Sequence, residues 1–213
     1  MNPADYDAWY VTPRGRWIGE TEYALAARLL AAQPGDSLLD VGCGTGWFSR
    51  RAASDGLVVT GLDPNAAWLD YAHAHGGPAS NWVEGDARDL PFADASFDHV
   101  LSIAALCFVD DERRAVAEAV RVARHRFAIG WLNRSSLLYR QKGRGGGSGA
   151  YRGARWHTAG EVRALFCGLP VRKLKLRSAI FLPSATRAAR FLEQAVPSAL
   201  PWGGLLLATG EKA

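Results

Sequence analysis

The chain has little of what would take it out of the ordinary globular class. Its 213 residues include only three cysteines, Cys43, Cys107 and Cys167, far apart and odd in number. No pair has CxxC spacing, so neither a structural zinc site nor a disulfide framework is expected, and a reducing cytoplasm suits such a chain best. Long apolar runs are missing: no stretch reaches the roughly 18 residues needed to cross a bilayer. The opening MNPADYDAWYVTPRGRW carries no apolar run behind a basic start, which argues against a secretory leader. Charge of one sign does not dominate either. The formal net charge is +4, with arginine far commoner than lysine. So small a surplus gives weak attraction to anions and does not establish a nucleic-acid partner. There is no internal repeat and no hydrophilic linker that would split the chain in half.

What is present is a globular composition, 48% hydrophobic and 22% charged, which excludes a disordered chain. A chain of this length buries roughly 70% of its unfolded surface, enough for one solid core.

Upstream of residue 133, helical and strand patterns alternate. Tyr23 to Ala32 places Leu25, Ala26, Leu29 and Leu30 at helical spacing and stops at Gln33-Pro34-Gly35-Asp36. Ser37 to Val41 reads as a buried strand, Gly46 to Ala53 as a helix, and Leu57 to Leu62 as a second strand rich in β-branched residues. Asn65 to His75 is a helix with Asn65 as N-cap. Asn81 to Glu84 and Phe97 to Ile103 are further strands, Asp110 to Ala123 a helix, and Arg126 to Leu132 a fifth strand. Strands alternating with helices predict βαβ units and a parallel sheet covered on both faces.

Gly143 to Gly153 (GRGGGSGAYRG) is too glycine-rich for helix or strand and reads as a mobile loop. Beyond it the pattern changes. Thr158 to Phe166 is a helix with a Thr158/Glu161 capping box. Arg172 to Phe181 alternates basic and apolar residues, as a half-exposed strand does. Ala185 to Val196 is a helix ended by Pro197, and Leu205 to Thr209 a last strand. Two late strands without a full crossover suggest an antiparallel edge.

The strongest local signal is Leu38-Leu39-Asp40-Val41-Gly42-Cys43-Gly44-Thr45-Gly46, where a strand runs through a glycine turn into a helix. The glycines let a ligand lie against the backbone, and the helix aims free N–H groups at it. A dinucleotide fingerprint needs GxGxxG, but Trp47 or Ser49 stands at the sixth position in the two possible registers. No Gly-Lys-Ser/Thr follows, so a Walker-type loop also fails. Asp40 before the first glycine disfavours a pyrophosphate and favours a cationic ligand. The second strand ends at Asp63, 17 residues after Gly46, where a carboxylate suits the two hydroxyls of a ribose. Asp86 follows a short strand and suits an exocyclic amine such as that of adenine.

DVGCGTG, GLDPN, EGDARDLPFADASFD and HVLSIAALCFV, in this order, resemble the class I S-adenosylmethionine-dependent methyltransferases, specifically the type 11 small-molecule group. The likeness is close over Leu38 to Val122 and looser over the rest. It implies an α/β, Rossmann-like, seven-stranded and mostly parallel sheet with helices on both faces and an antiparallel last strand. It implies S-adenosyl-L-methionine as cofactor, released as S-adenosyl-L-homocysteine. Carried over by position, Gly42, Cys43, Gly44 and Gly46 would pass beneath the methionine part. Asp40 would stand near its amine, directly or through water. Asp63, with Pro64 beside it, would hold the ribose, Asp86 and Ala87 the adenine. Ser102 would face the sulfonium through its carbonyl.

The resemblance divides the single domain into a lid segment over residues 1–22, a cofactor core over 23–133 and an acceptor side over 134–213. It implies a small-molecule methyl acceptor and action as a monomer or homodimer. Two departures stand out. Val122-Ala123-Arg124-His125-Arg126-Phe127 replaces the usual Pro-Gly-Gly-type turn before the fifth strand, so an altered turn is expected. Leu106-Cys107-Phe108 stands where many relatives carry histidines, which leaves no obvious base. In-line transfer from an activated sulfonium tolerates this, because positioning supplies much of the rate. Trp9 and Tyr10 in the lid, Cys107 and His157 are the acceptor-side candidates, with a core or turn role as the rival for each. Trp131, on the fifth strand, reads as core. His73 and His75 lie two apart on a helix and face different ways, so no metal site is expected. An RNA methyltransferase is the alternative, resting on the Arg/Gly loop and Arg172, Lys173, Lys175 and Arg177. A non-catalytic cofactor-binding protein of the same fold is a third.

Overall fold

The structure is a computed structural model that describes residues 2–76 and 80–213. One seven-stranded sheet organises it, in the order β3-β2-β1-β4-β5-β7-β6. The strands are β1 (Ser37–Val41), β2 (Val58–Asp63), β3 (Ser80–Glu84), β4 (Phe97–Ile103), β5 (Ala123–Leu132), β6 (Val171–Ala179) and β7 (Leu205–Lys212). The first five pair in parallel. β7 is antiparallel to both of its neighbours, β5 and β6. The fold is the expected Rossmann-like one, with the last strand reversed.

Alternation along the strands builds two cores, because successive side chains leave a strand on opposite faces. Leu38, Leu101, Ala128, Leu205 and Leu207 face one side, where α2 (Pro13–Leu30) and α3 (Trp47–Ser54) cover them. Leu39, Val100, Phe127, Ile129, Leu206 and Ala208 face the other, beneath α5 (Glu112–Val122) and α6 (Ala159–Leu165). Trp131 is fully buried in that second core. α4 (Ala66–His75) starts from the expected Asn65 cap, whose side chain accepts from the Ala67 amide, and α6 from the Thr158/Glu161 capping box. α7 (Arg187–Ala195) follows β6, and α1 (Pro3–Val11) packs against α2 and α4. No helix among the described residues is long and apolar enough to cross a membrane.

Three sequence expectations change. The helix expected from Tyr23 begins at Pro13, because Thr12 caps it by accepting from the Gly15 amide and Pro13 suits the first turn. α5 runs into β5 with no residue between, so the altered turn is no turn at all. The glycine-rich segment is not shapeless. It folds into short helical turns at Tyr139–Gly143, Arg144–Gly146 and Gly149–Tyr151, closed by Gly153 N–H donating to the Gly146 carbonyl. The Tyr139 and Tyr151 rings pack on Trp156 and anchor these turns.

The sheet order reverses between β1 and β4, each continuing to a neighbour on its far side. In open α/β sheets the crevice at the carboxyl ends of such strands is where ligands bind.

Candidate cofactor and acceptor site

The carboxyl ends of β1, β2 and β4 converge on the glycine turn. Gly42 and Cys43 both donate their amides to the Leu62 carbonyl, at 2.7 and 3.0 Å. Gly42, Gly44 and Gly46 have φ of 73°, 55° and 77°, a region that side chains resist. Space forbids a side chain as well. A Cβ on Gly42 would stand 2.4 Å from the Ala105 Cβ, and one on Gly46 2.4 Å from the Trp82 ring. Ala104, just past β4, holds φ 51°, a strained value for alanine and a frequent mark of a working site.

Asp63 is aimed into this turn. Its carboxylate accepts from the Gly44 amide at 2.9 Å and the Asn65 amide at 3.0 Å. A carboxylate offers about four lone pairs, so capacity for two further donors remains. Burial raises its pKa, against the lowering by those two amides. Asp40 lies deeper, 2% exposed, and accepts from the Ser49 hydroxyl at 2.6 Å. Burial pushes Asp40 up to about 7. The Thr45 hydroxyl, inside the glycine turn, is buried without a hydrogen-bond partner among the described residues. These features fit a ligand that carries hydroxyls and an ammonium.

The other expected cofactor residues fall as follows. Asp86 is gripped by Arg88, whose Nε and Nη2 both reach its carboxylate, at 3.0 and 2.6 Å, and hold its pKa low. Ala87 is buried next to it, and Pro64 is exposed beyond Asp63. The Cys43 thiol lies 2.9 Å from where a Cβ on Gly61 of β2 would stand, and burial raises its pKa. Ser102 is fully buried, its hydroxyl donating to the Val41 carbonyl at 2.8 Å.

On the acceptor side, Tyr10 is buried and stacks on Trp47 at 4.5 Å, while Trp9 is half-buried against α2. Cys107 is fully buried. Its thiol donates to the Ala104 carbonyl at 3.1 Å and is pushed up to about 12, mainly by burial. His157 is drawn to the start of α5, where Nε2 lies 2.7 Å from one Glu112 carboxylate oxygen while Arg155 donates to the other at 2.8 Å.

At the mouth of the cleft, Trp68 escaped sequence reasoning, and Tyr6 was read only as part of the lid segment. Trp68 lies against Gly44, 3.2 Å from where a Cβ would stand, and the Tyr6 ring packs on Trp68 at 5.0 Å. The available signals were an aromatic three residues past the Asn65 cap and the tyrosine-rich α1.

Residues 39–126, which contain the glycine turn, Asp40, Asp63, Asp86 and Ser102, match the family model described as a methyltransferase domain. This stretch is a methyltransferase domain. Among curated relatives, an uncharacterised protein of Mycobacterium tuberculosis is 35% identical over 187 residues, covering 84% of this chain and 62% of that protein. A malonyl-[acyl-carrier protein] O-methyltransferase of Pectobacterium atrosepticum is 40% identical over 110 residues, 50% of this chain and 43% of the other. The chain therefore spans less than two thirds of the length of these relatives.

Solved structures agree on the fold. A possible histamine N-methyltransferase of Thermotoga maritima superposes with a TM-score of 0.78 at 24% identity, covering 99% of this chain and 95% of that one. A TehB-like methyltransferase of Corynebacterium glutamicum covers both chains fully, with a TM-score of 0.63 at 21% identity. S-adenosylmethionine is the cofactor that a methyltransferase domain implies, and the acidic cleft suits its ammonium and sulfonium.

Proposed function

We propose that the chain transfers the methyl group of S-adenosylmethionine to a small-molecule acceptor by in-line displacement. The carrying observation is the Asp63 carboxylate, fixed by the Gly44 and Asn65 amides at the end of β2 with lone pairs to spare. S-adenosylmethionine supplies an activated methyl on a positively charged sulfur.

The chain's own residues do the positioning. Asp63 takes the ribose hydroxyls. Gly42, Gly44 and Gly46 let the methionine part lie on the backbone. Asp40 meets its ammonium through Ser49 or a water, since it is buried behind the turn. Asp86 serves the adenine amine while keeping Arg88, and Ala87 and Pro64 lie alongside. Residues 1–22 act as a lid, supported by the packing of Tyr6 on Trp68. Residues 134–213 wall the acceptor. One chain supplies every residue named, so a second copy is not required. Three unpaired cysteines support action in the cytoplasm. The basic residues of β6 stand on the outermost strand, with Lys173 paired to Glu211, which favours an edge-protecting role over RNA contact.

The test is calorimetric titration of wild type and Asp63→Ala with S-adenosylmethionine and S-adenosylhomocysteine, followed by acceptor screening for S-adenosylhomocysteine release. Micromolar binding lost in the variant is expected. A folded wild type that binds neither compound would refute the reading.

A further inference from the structure

A cleft that no step above uses lies at the carboxyl end of β5. It measures about 460 Å³ and is lined by Arg134, Arg155, Trp156 and His157, together with Ala164 and Leu165 of α6. A volume of this size holds a small organic molecule.

Backbone pairing puts the cleft beside the cofactor residues. The His157 amide donates to the Leu132 carbonyl and the Arg134 amide to the His157 carbonyl, each at 2.9 Å, so the two segments run together where β5 ends. The Arg155 amide reaches the Cys107 carbonyl at 2.9 Å. The Cys107 thiol in turn donates to the Ala104 carbonyl. Next to Ala104 stands Ala105, the residue that a Cβ on Gly42 would strike. One short turn past β4 therefore separates this cleft from the glycine turn.

Both arginines of the cleft are exposed, and each is pinned from behind by a glutamate. Arg155 donates its Nε to Glu112 at 2.8 Å, and Glu112 is 5% exposed and held on its other oxygen by His157. Arg134 donates its Nη2 to Glu161, whose other oxygen accepts from the Thr158 amide at 2.7 Å and its hydroxyl at 2.9 Å. A guanidinium carries five N–H donors. Each arginine spends one on its glutamate and keeps the rest. The glutamates fix the two forks before any ligand arrives, which lowers the entropy lost on binding.

The surroundings add positive charge that the glutamates do not cancel. Residues 134–160 contain six arginines and lysines and no aspartate or glutamate. Among the described residues, the ion pairs made by these six are those of Arg134 and Arg155. Arg140, Lys142, Arg144 and Arg152 stay exposed on the glycine-rich turns. Those turns hang on the cleft wall, because the Tyr139 and Tyr151 rings pack on Trp156 at 5.3 and 5.6 Å. A concave site lined by charge of one sign draws in ligands of the other.

We propose that this cleft binds the methyl acceptor, and that the acceptor is an organic acid with a carboxylate on an apolar body. This deepens the methyl-transfer reading and rests on it. A planar carboxylate matches the planar forks of Arg134 and Arg155. The apolar body lies against Trp156 and Leu165. A bare phosphate would meet the arginines and leave that apolar wall unused, and a neutral alcohol would meet the wall and leave the arginines unused.

The experiment titrates the protein, saturated with S-adenosylhomocysteine, with 3-phenylpropionate, 3-phenylpropanol and inorganic phosphate by calorimetry. The acid should bind about tenfold or more tightly than the alcohol of the same shape, the scale of a charge-assisted hydrogen bond, and more tightly than phosphate. Arg134→Gln changes an exposed side chain and should weaken the acid about tenfold. Arg155→Lys keeps a cation beside the buried Glu112 but loses the fork, and should weaken the acid about three- to tenfold. Affinity for S-adenosylhomocysteine should stay within about twofold in both variants, since neither arginine touches the cofactor in this reading.

A kinetic arm ties the cleft to the reaction. In acceptor screening by S-adenosylhomocysteine release, the compounds that turn over should be acids, and Arg134→Gln should raise their KM with little change in kcat. Equal binding of acid and alcohol, phosphate binding as tightly as the acid, variants that bind the acid like wild type, or turnover confined to neutral acceptors would each overturn this inference alone. Failure of wild type to bind S-adenosylhomocysteine overturns the methyl-transfer reading beneath it.

Discussion

Arg50 holds Asp7 at 2.7 Å while another arm of the same guanidinium donates to the Thr45 carbonyl at 2.6 Å. One side chain on α3 thus ties the N-terminal helix to the glycine turn. The Tyr71 hydroxyl stands 3.5 Å from the other Asp7 oxygen, so α4 is brought into the same knot. Asp7→Asn should weaken S-adenosylhomocysteine binding about three- to tenfold while costing only about 1 kcal/mol of stability, the scale of a partly exposed pair. Calorimetry beside a thermal melt separates the two effects. Equal losses in both would mean that the pair serves folding alone.

Asp63→Ala removes the acceptor of two backbone amides as well as the proposed ribose contact. Binding of S-adenosylmethionine should fall at least about 100-fold, the combined scale of lost charge-assisted hydrogen bonds. Circular dichroism of the variant should match wild type. If it does and binding persists, the ribose lies elsewhere.

Asp40 should make cofactor affinity depend on pH. In the empty site it holds a proton below about 7, because burial disfavours its charge. An ammonium nearby favours the ionised form, so that proton must leave on binding. Affinity should then rise with pH up to about 7 and fall below it, by at most about tenfold per unit. Calorimetry at pH 6 and pH 8, in buffers of different ionisation heat, counts the proton released. Asp40→Asn should abolish the dependence.

The thiols should divide two to one. Cys43 and Cys107 are buried with raised pKa values, while Cys167 is exposed. A native protein treated with a thiol-specific reagent at pH 8 should modify Cys167 rapidly and the other two only on unfolding. Cys107→Ala should leave the pH–rate profile unmoved, since a thiol pushed up to about 12 carries no charge in the working range. A changed profile would return Cys107 to the chemistry.

Legibility in the sequence followed how local the physics was. β1 and β4 match expectation to the residue, because each is an apolar run bounded by turn residues. The glycine turn and Asp63 were readable for the same reason: backbone conformation and a strand end are properties of a few neighbouring residues. α1 was not seen as a helix, since its residues show no apolar stripe and Pro3 reads equally as a turn. The first half of α2 was hidden by Gly15 and Gly19, which look like breakers until Trp9 and Tyr10 are seen to press on them. Asp86 was assigned to a base without notice of Arg88, two residues on, which competes for it. Trp68 matters only through Gly44 and Tyr6, 24 and 62 residues away, so no local pattern marks it.

The insertion of β7 between β5 and β6 has a consequence for how the chain is made. β6 leaves the ribosome with no neighbour to bond with, because the strand that joins it to the sheet is synthesised some 25 residues later. Five parallel strands can assemble during translation, but the sixth must wait. A waiting strand is an aggregation hazard, and the charges of Arg172, Lys173, Lys175 and Arg177 are the kind that keep such a strand from pairing with another nascent chain. Their value is greatest before the molecule is finished.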